Sequence, residues 1–333
     1  MRAFWAVVLT WLIANSLAIA IAAEPGADAA VAAAPSAHIV LLHVNDPHGQ
    51  TQGITVNGKP WGGYARLSTM VDELRKKEGA DHVVLFHAGD EFSRGDEMTS
   101  TSLGQANIDL MNKIGFAAWV PGNGDFYVGP ANLQKRIAQA NFPTLAANVT
   151  YRFGGEPLAK NTVVIEVQGV KIGLLGLCYV RKEHPSAFPL RVLDPIETAK
   201  RIIPELRKQA DIVIALTHLG LEADRQLAAQ VGGIDMIVGG HSHTVLLRGY
   251  HVNDPDGKRV LIVQAGDQLR YLGRVDLQLT RADGRWQLND ATPQLIPLDS
   301  LVPQDPAIKA MIARMWPASQ PSSVPTSAPV GVD

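Results

Sequence analysis

The chain has 333 residues, of which 46% are hydrophobic and 19% charged, and its formal net charge is −2. This composition can bury a substantial core in one large domain or two modest ones. Lys and Arg are scattered without a basic block, which excludes a surface for a nucleic acid polymer. A small anionic substrate would have to be held locally, for example by metal ions.

The first 23 residues have the pattern of a secretory signal peptide. Arg2 precedes an apolar stretch that ends in small residues and offers an A-x-A cleavage site before Glu24. The alternative is an uncleaved membrane anchor, since about 20 apolar residues can span a bilayer. We expect cleavage, a periplasmic or secreted product, and no stable membrane association afterwards. Residues 24–36, rich in Ala and Pro, are predicted to form a flexible leader.

Strand-like and helical segments then alternate along the chain. In chain order we predict a strand at 38–45, a helix at 65–77, a strand at 82–87, a helix at 103–114, a strand at 117–120, a helix at 131–140, strands at 161–167 and 171–177, a helix at 195–209, a strand at 212–217, a helix at 222–231, and strands at 236–238, 259–264 and 273–279. This alternation predicts an α/β layered domain over residues 37–300. Residues 301–316 are predicted to form a short C-terminal helix, and residues 317–333 a disordered tail rich in Pro and Ser.

The single cysteine, Cys178, excludes an intramolecular disulfide. Its apolar surroundings predict a buried thiol without a catalytic role. An exported protein without disulfides must draw its stability from its core or from bound metal.

Polar clusters follow five predicted strands, at the place where ligands of α/β sheets usually bind. They are NDPHG at 45–49, GD at 89–90, GNGD at 122–125, THLG at 217–220 and GGHSH at 239–243. Each is weak alone, because a strand-end Gly-Asp usually starts a turn and a lone histidine is usually structural. Among their side chains, two Asp, one Asn and four His form a mixed oxygen and nitrogen ligand set that suits Mn, Zn, Fe or Co, and these seven suffice for two ions if one carboxylate bridges them.

The order D-x-H-G, G-D, G-N, H-G, G-H-S-H resembles the calcineurin-like metallophosphoesterases. The segments "LLHVNDPHG", "HAGDEFSRG" and "GIDMIVGGHSHT" are similar to the bacterial 5′-nucleotidase branch, which includes UDP-sugar hydrolases and SoxB-type thiosulfohydrolases. The resemblance implies a four-layer α/β/β/α sandwich of two mixed sheets, with the site at the sheet ends. It also implies two divalent metal ions, one held by Asp46, His48 and His243, the other by Asn123, His218 and His241, with Asp90 as the bridge.

The third motif departs from the family pattern. The family typically has Gly-Asn-His-Glu-Phe-Asp, and this chain has Gly-Asn-Gly-Asp-Phe-Tyr at 122–127. Gly124 and Tyr127 therefore replace a catalytic histidine and the aspartate that orients it. Losing a group that stabilises the transition state or assists the leaving group typically costs about 10²–10³ in rate. Tyr127, Arg94 and His87 are the candidate substitute donors, and His87 lies within a strand.

The resemblance implies an exported dimetal phosphoesterase, in which a metal-bound hydroxide attacks a small phosphorylated compound or, as in the SoxB type, a sulfur ester. A second hypothesis is a pseudoenzyme that binds metal or an oxyanion without catalysis, which Gly124 and Tyr127 favour. Two-domain 5′-nucleotidases continue into a domain that binds the nucleoside, but here the resemblance ends near Leu279. A separate partner polypeptide that supplies a substrate domain is therefore a third hypothesis.

Overall fold

A computed structural model describes residues 34–316. The predicted signal peptide, most of the predicted leader and the predicted tail fall on residues 1–33 and 317–333, outside the described residues. Within the described range, no helix combines the length and the apolar character needed to cross a membrane.

The described strands are β1 Ser36–Val44, β2 Ile54–Val56, β3 Lys59–Trp61, β4 Val83–His87, β5 Ala118–Trp119, β6 Val149–Tyr151, β7 Thr162–Val167, β8 Val170–Cys178, β9 Leu190–Val192, β10 Ile212–His218, β11 Met236–Val238, β12 Tyr250–Asn253, β13 Arg259–Val263, β14 Tyr271–Ala282 and β15 Arg285–Pro297. The α-helices are α1 Tyr64–Glu78, α2 Glu97–Ser102, α3 Gln105–Ile114, α4 Pro130–Gln139, α5 Pro195–Gln209, α6 Leu221–Gln230 and α7 Pro306–Met315. Short 3₁₀ helices span Ala80–His82, Asn123–Val128 and Pro185–Ala187.

Two mixed sheets form the centre of the domain. The first has the strand order β15-β14-β1-β4-β5. Strands β1, β4 and β5 are parallel to one another, and β14 is antiparallel to both of its neighbours, β1 and β15. The second has the order β12-β13-β11-β10-β8-β7, with four parallel strands between two antiparallel edges. The parallel strands of each sheet therefore bring their carboxyl ends to one edge, where the polar clusters follow.

The second sheet separates two apolar cores, because successive side chains of a strand point to opposite faces. Leu174 and Ile214 pack in the core shared with the first sheet, whereas Ala215 packs with helix residues Ile203 and Leu227. Helices α1, α3 and α7 contact one another and cover the first sheet, and α5 and α6 cover the second. The predicted four-layer α/β/β/α sandwich is confirmed.

The prediction of one helix over 103–114 was wrong at its start. Helix α2 ends at Ser102, and Leu103 and Gly104 then adopt φ values of 49° and 78° before α3 begins. Left-handed residues end a helix, and apolar periodicity does not reveal them. Strand β15 was also missed, because its 13 residues alternate only between exposed and half-buried positions.

His43 is a buried titratable residue of β1, and only 1% of it is exposed. It pairs with Gly273 of β14, and a Cβ added to that glycine would overlap the imidazole ring. Burial lowers the pKa of His43 from 6.5 to about 3, so the ring stays neutral in the native core.

We predict that His43 makes the fold sensitive to acid. Between pH 6.5 and pH 3 the unfolded chain binds a proton at His43 that the native chain does not, so the unfolding free energy falls as the pH drops. Urea unfolding of metal-free protein at pH 7 and pH 5 should show a loss of about 2 kcal/mol from this residue. His43→Leu should remove that part of the loss, and an equal loss in the variant and the wild type would contradict this.

Candidate metal centre

The seven predicted ligands follow the carboxyl ends of five strands: Asp46 and His48 after β1, Asp90 after β4, Asn123 after β5, His218 at the end of β10, and His241 and His243 after β11. Five of them form two groups of three, in which the candidate ligand atoms lie within 4.8 Å of one another. One group is Asp46, His48 and His243, and the other is Asp46, Asp90 and His218. Asp46 belongs to both groups, so the fold places it between them.

The Asp46 carboxylate is fully buried and has one oxygen fixed and one oxygen free. The Asn45 side-chain amide donates to Asp46 Oδ2 at 2.8 Å, and the His241 backbone N–H donates to the same oxygen at 2.9 Å. Asp46 Oδ1 lies 3.2 Å from His243 Nε2 and 3.9 Å from both His48 Nε2 and His218 Nε2. The free oxygen therefore faces three imidazoles.

His218 presents one ring nitrogen to the site because its other nitrogen is occupied. Nδ1–H donates to the Ala88 carbonyl at 2.7 Å, which leaves Nε2 as the ring nitrogen available to a cation. That Nε2 lies 3.4 Å from Asp90 Oδ1. Asp90 Oδ2 is 3.8 Å from His48 Nδ1, so the two Asp90 oxygens face different groups.

The unpaired polar atoms provide a test of whether these residues fit divalent cations. Asp46 Oδ1, Asn123 Oδ1 and His218 Nε2 are buried and have no hydrogen-bond partner among residues 34–316. An unsatisfied buried polar atom typically costs about 1–3 kcal/mol. All three atoms are of types that bind divalent cations, and the His48 and His243 Nε2 atoms face each other at 2.9 Å. The donor set therefore fits metal ions.

The backbone is strained at the same positions. Five of the seven predicted ligands have positive φ values, between 51° and 77°: Asp46, His48, Asp90, His241 and His243. Left-handed residues other than glycine are uncommon and cost about 1–3 kcal/mol each. Such strain concentrates at functional sites, where the backbone must aim side chains at one point.

Charge states set by the surroundings mostly match what metal ligands need. Burial opposes ionisation of Asp46, but His218, His243 and Asn45 together lower its pKa to about 2. Burial lowers the pKa of His48 and of His241, which favours neutral rings. The adjacent Asp46 carboxylate, 3.2 Å away, raises the pKa of His243, which would have to release its proton on binding a cation.

Asn123 and His241 lie beside these groups and each contacts an aromatic ring. Asn123 Nδ2 donates to the Tyr127 hydroxyl at 3.3 Å, so Tyr127 fixes the amide that carries the unpartnered Oδ1. The His241 ring packs 5.2 Å from the His218 ring and 4.7 Å from the Tyr179 ring, measured between ring centroids.

Asp125 of the third motif joins two ligand loops. Its buried carboxylate accepts hydrogen bonds of 2.7–2.9 Å from four backbone N–H groups, those of Asp90, Glu91, Phe92 and Gly122. Burial and the Asp90 charge raise the pKa of Asp125 well above its usual value, although the bonds from Gly122 and Phe92 act in the opposite direction. All four partners are donors, and they favour the carboxylate form, which has no proton of its own to place among them.

Gly124 has no space for a side chain. A Cβ at this position would overlap Oγ and Cβ of Ser93, which is itself buried. Ser93 Oγ makes a hydrogen bond of 3.1 Å with His48 Nδ1. The hydroxyl of Ser93 thus fills the space that a larger residue at 124 would need, and it orients a predicted ligand.

The three candidate donors occupy different surroundings. His87 is fully buried, with Nε2 at 2.9 Å from a Glu91 carboxylate oxygen and Nδ1 accepting from the Gly89 N–H at 3.0 Å. Both of its ring nitrogens are therefore committed inside the core. Arg94 is exposed with a φ of 61°, and Tyr127 is 36% exposed. Cys178 is buried, as predicted, and burial raises its pKa.

The sequence did not identify the residues that orient the ligands. Asn45 lay within a quoted cluster, but nothing in one sequence separates it from Asp46 as a supporting residue. Ser93 and Asp125 act across loops that are distant along the chain. Pairing Ser93 with Gly124 requires knowledge of the fold.

The chain is similar to known proteins over most of its length. The family model of calcineurin-like phosphoesterases matches residues 39–245. The 5′-nucleotidase of Bos taurus is 30% identical over 307 residues, which are 82% of this chain and 52% of that protein. The crystal structure of a 5′-nucleotidase precursor from Thermus thermophilus superimposes with a TM-score of 0.74 at 29% identity, over 84% of this chain and 58% of the other.

The sulfate thiohydrolase SoxB of Thermus thermophilus superimposes with a TM-score of 0.72 at 18% identity, over 84% of this chain and 60% of the other. At that identity the likeness shows the shared fold alone. The chain spans about half the length of the curated relatives it matches.

We predict that Asp125→Asn destabilises the metal-free protein by about 3 kcal/mol or more, because an amide nitrogen then faces two of the four backbone donors. Urea unfolding measures the effect. Asp283→Asn, in the exposed turn between β14 and β15, is the matched control and should change stability by less than about 0.5 kcal/mol. Equal stability of the two variants would contradict the role given to Asp125.

Proposed function

Because the chain belongs to the calcineurin-like phosphoesterase family, we propose that it hydrolyses a small anionic phosphate ester at a site that holds two divalent cations. The observation that carries this proposal is the set of three unpaired buried ligand atoms at one sheet edge. When bound, Mn, Zn, Fe or Co would act as Lewis acids towards the phosphoryl oxygens and lower the pKa of a bound water. We further propose export, which the sequence pattern of residues 1–23 favours and N-terminal sequencing of the mature chain checks.

We assign Asp46, His48 and His243 to one cation and Asn123, His218 and His241 to the other. Asp90 is the proposed bridge, since its two oxygens lie near His48 and His218 respectively. Asp46 Oδ1 also lies within reach of both groups, so it supports a close pair of ions.

The protein's own contribution is to orient these ligands before substrate binds. Asn45 holds Asp46, the Ala88 carbonyl holds His218, and Ser93 holds His48. Tyr127 is the proposed proton donor to the leaving group. Its hydroxyl oxygen accepts a hydrogen bond from Asn123, so its own proton is free to be donated.

We predict that metal-loaded protein hydrolyses an activated phosphomonoester and that Asp90→Asn lowers this turnover by about 10³ or more, because the bridge loses its charge for both ions. Phosphate release and the metal content of each protein are the measurements. Full metal content in Asp90→Asn would contradict the bridging role. No turnover in metal-replete wild type would contradict the proposed function.

A second candidate function is metal or oxyanion binding without catalysis, and the observation that favours it is the absence of space at Gly124. A histidine at position 124 and an aspartate at position 127 would restore the family pattern, but a side chain at 124 needs the space that the Ser93 hydroxyl occupies. We therefore predict that the triple change Ser93→Gly, Gly124→His, Tyr127→Asp raises turnover of an alkyl phosphate by about 10-fold or more. Steady-state kinetics measures the turnover of each variant, and urea unfolding measures its stability.

The double change without Ser93→Gly is the matched control, and it should be destabilised and gain nothing, because the new side chain overlaps Ser93. Tyr127→Phe should lower turnover of an alkyl phosphate more than that of an aryl phosphate, whose leaving group needs less protonation. A wild type without activity and an active triple variant would identify the natural chain as the non-catalytic form.

A further inference from the structure

Strands β6 and β9 form a two-stranded antiparallel ribbon outside the two central sheets. One residue beyond the strands, the Arg152 N–H donates to the Pro189 carbonyl at 2.8 Å, so the register of the ribbon continues there. In that register Phe153 lies opposite Phe188 at the end of the ribbon. Two aromatic residues from different loops thus end the ribbon together.

Both phenylalanines are strongly exposed to solvent. Phe153 is 72% exposed and Phe188 is 67% exposed. The guanidinium carbon of Arg152 lies 5.4 Å from the centroid of the Phe188 ring, which places a cation beside the aromatic pair. Because aromatic rings stabilise a fold mainly when they are buried, a neighbouring pair of exposed rings indicates an interaction surface.

A cavity of about 390 Å³ beside the ribbon has only positive charges in its lining. Arg152, Lys182 and Arg191 supply these charges, and Glu183 lines a neighbouring cavity instead. None of the three cations forms a salt bridge within residues 34–316. The cavity therefore has the charge and the size for an anionic group.

The register of the ribbon brings the two arginines close together. Arg191 pairs with Thr150, so Arg152 is its diagonal neighbour on the same face of the ribbon. Like charges in this arrangement repel each other. An anion bound between them would replace the repulsion with charge-assisted hydrogen bonds.

Exposed rings beside a cationic cavity match the chemistry of an anionic lipid surface. Headgroup phosphates bind Arg and Lys, and the boundary between headgroups and acyl chains accepts aromatic rings. A free phosphate would fill the cavity and leave both rings in water. An acidic protein would need a pocket shaped for the two rings, whereas a fluid lipid interface adapts to them.

We propose that Arg152, Phe153, Lys182, Phe188 and Arg191, the ribbon surface, bind reversibly to membranes that contain anionic phospholipids. Headgroup phosphates occupy the cationic cavity, and the two rings enter the headgroup region. A cation near an anionic membrane contributes about 5-fold in affinity, and partial burial of one ring about 10-fold. Such binding is reversible, in keeping with the predicted lack of stable membrane association, and it requires neither metal nor turnover.

The ribbon surface adjoins the proposed metal centre. The ring of His184, which lies between Lys182 and Phe188 along the chain, packs against the Tyr127 ring with centroids 4.3 Å apart. The Tyr127 hydroxyl in turn contacts Asn123. Membrane binding would therefore hold the proposed metal centre near the lipid surface.

Co-sedimentation of the mature chain with lipid vesicles tests this proposal. Vesicles of phosphatidylcholine mixed with phosphatidylglycerol should bind the protein about 10-fold or more tightly than vesicles of phosphatidylcholine alone. Binding should weaken as the salt rises from about 50 mM to about 500 mM, because salt screens the cations from the headgroups. Metal-loaded and chelator-treated protein should bind equally well.

Two double variants separate the contributions of charge and of aromatic rings. Arg152→Gln with Arg191→Gln should weaken binding to the mixed vesicles about 10-fold or more at low salt. Phe153→Ser with Phe188→Ser should weaken it by a similar factor, and this loss should persist at high salt. All four side chains are exposed or line an open cavity, and urea unfolding checks that each variant keeps its stability.

The matched controls make the same chemical changes elsewhere on the surface. Lys76→Gln with Arg314→Gln removes two exposed cations from helices α1 and α7. Leu247→Ser with Leu301→Ser removes two apolar side chains that are 65% and 86% exposed. Both control variants should bind the mixed vesicles within about 2-fold of the wild type.

Several outcomes would overturn the proposal. Equal binding to both kinds of vesicle in every variant, as an uncleaved N-terminal segment would give, is one of them. Binding by metal-loaded protein alone would place the headgroup at the metal centre instead. Binding of inorganic pyrophosphate or of polyglutamate through Arg152 and Arg191, without vesicle binding, would assign the cavity to a soluble phosphate or to an acidic protein. Loss of phosphoesterase activity alone would leave the proposal standing, since vesicle binding does not depend on it.

Discussion

The proposed metal centre depends on hydrogen bonds that join the ends of the two sheets. Asp46 follows β1 of the first sheet, and its Oδ2 accepts from the His241 N–H, which follows β11 of the second. His218 ends β10 of the second sheet and donates to the Ala88 carbonyl beyond β4 of the first. Each bond occupies one atom of a side chain and leaves its other ligand atom facing the site. The same hydrogen bonds therefore hold the two sheet ends together and orient the predicted ligands.

This arrangement lowers the stability of the metal-free chain. Unpaired ligand atoms, left-handed backbone at five ligand positions and buried carboxylates near one another each reduce the free energy of unfolding. The surrounding cores offset these terms, since both faces of the second sheet are packed. Divalent cations would neutralise the carboxylates and pair with the free atoms, so cation binding and folding are expected to be coupled.

The sequence predicted the strands, helices and polar clusters that each depend on a single short segment of the chain. The layered fold follows from alternating apolar strands and helices, and β11 was placed at 236–238 because Met-Ile-Val lies between turn residues. The five polar clusters were found because each directly follows a strand. The left-handed break at Leu103 and the half-buried edge strand β15 were missed, since neither changes the apolar periodicity. The overlap of Ser93 with any side chain at 124 was also beyond prediction, because it requires two loops to meet.

The third motif, at residues 122–127, connects two loops as well as contributing to the candidate site. Asp125 connects the loop after β4 to the loop after β5 through hydrogen bonds to backbone N–H groups of both. Gly124 has no side chain, and Ser93 occupies the space beside it. The Tyr127 hydroxyl orients Asn123. Gly124 and Tyr127 are thus accommodated by their neighbours, and both lie beside predicted ligands.

The proposed function depends above all on whether these side chains hold two divalent cations. The most direct test is calorimetric titration of Mn or Zn into chelator-treated protein, with the melting temperature followed in parallel. We predict saturation at two ions per chain and a rise in melting temperature with ion concentration. If neither ion binds and neither raises the melting temperature, the proposed dimetal centre is contradicted.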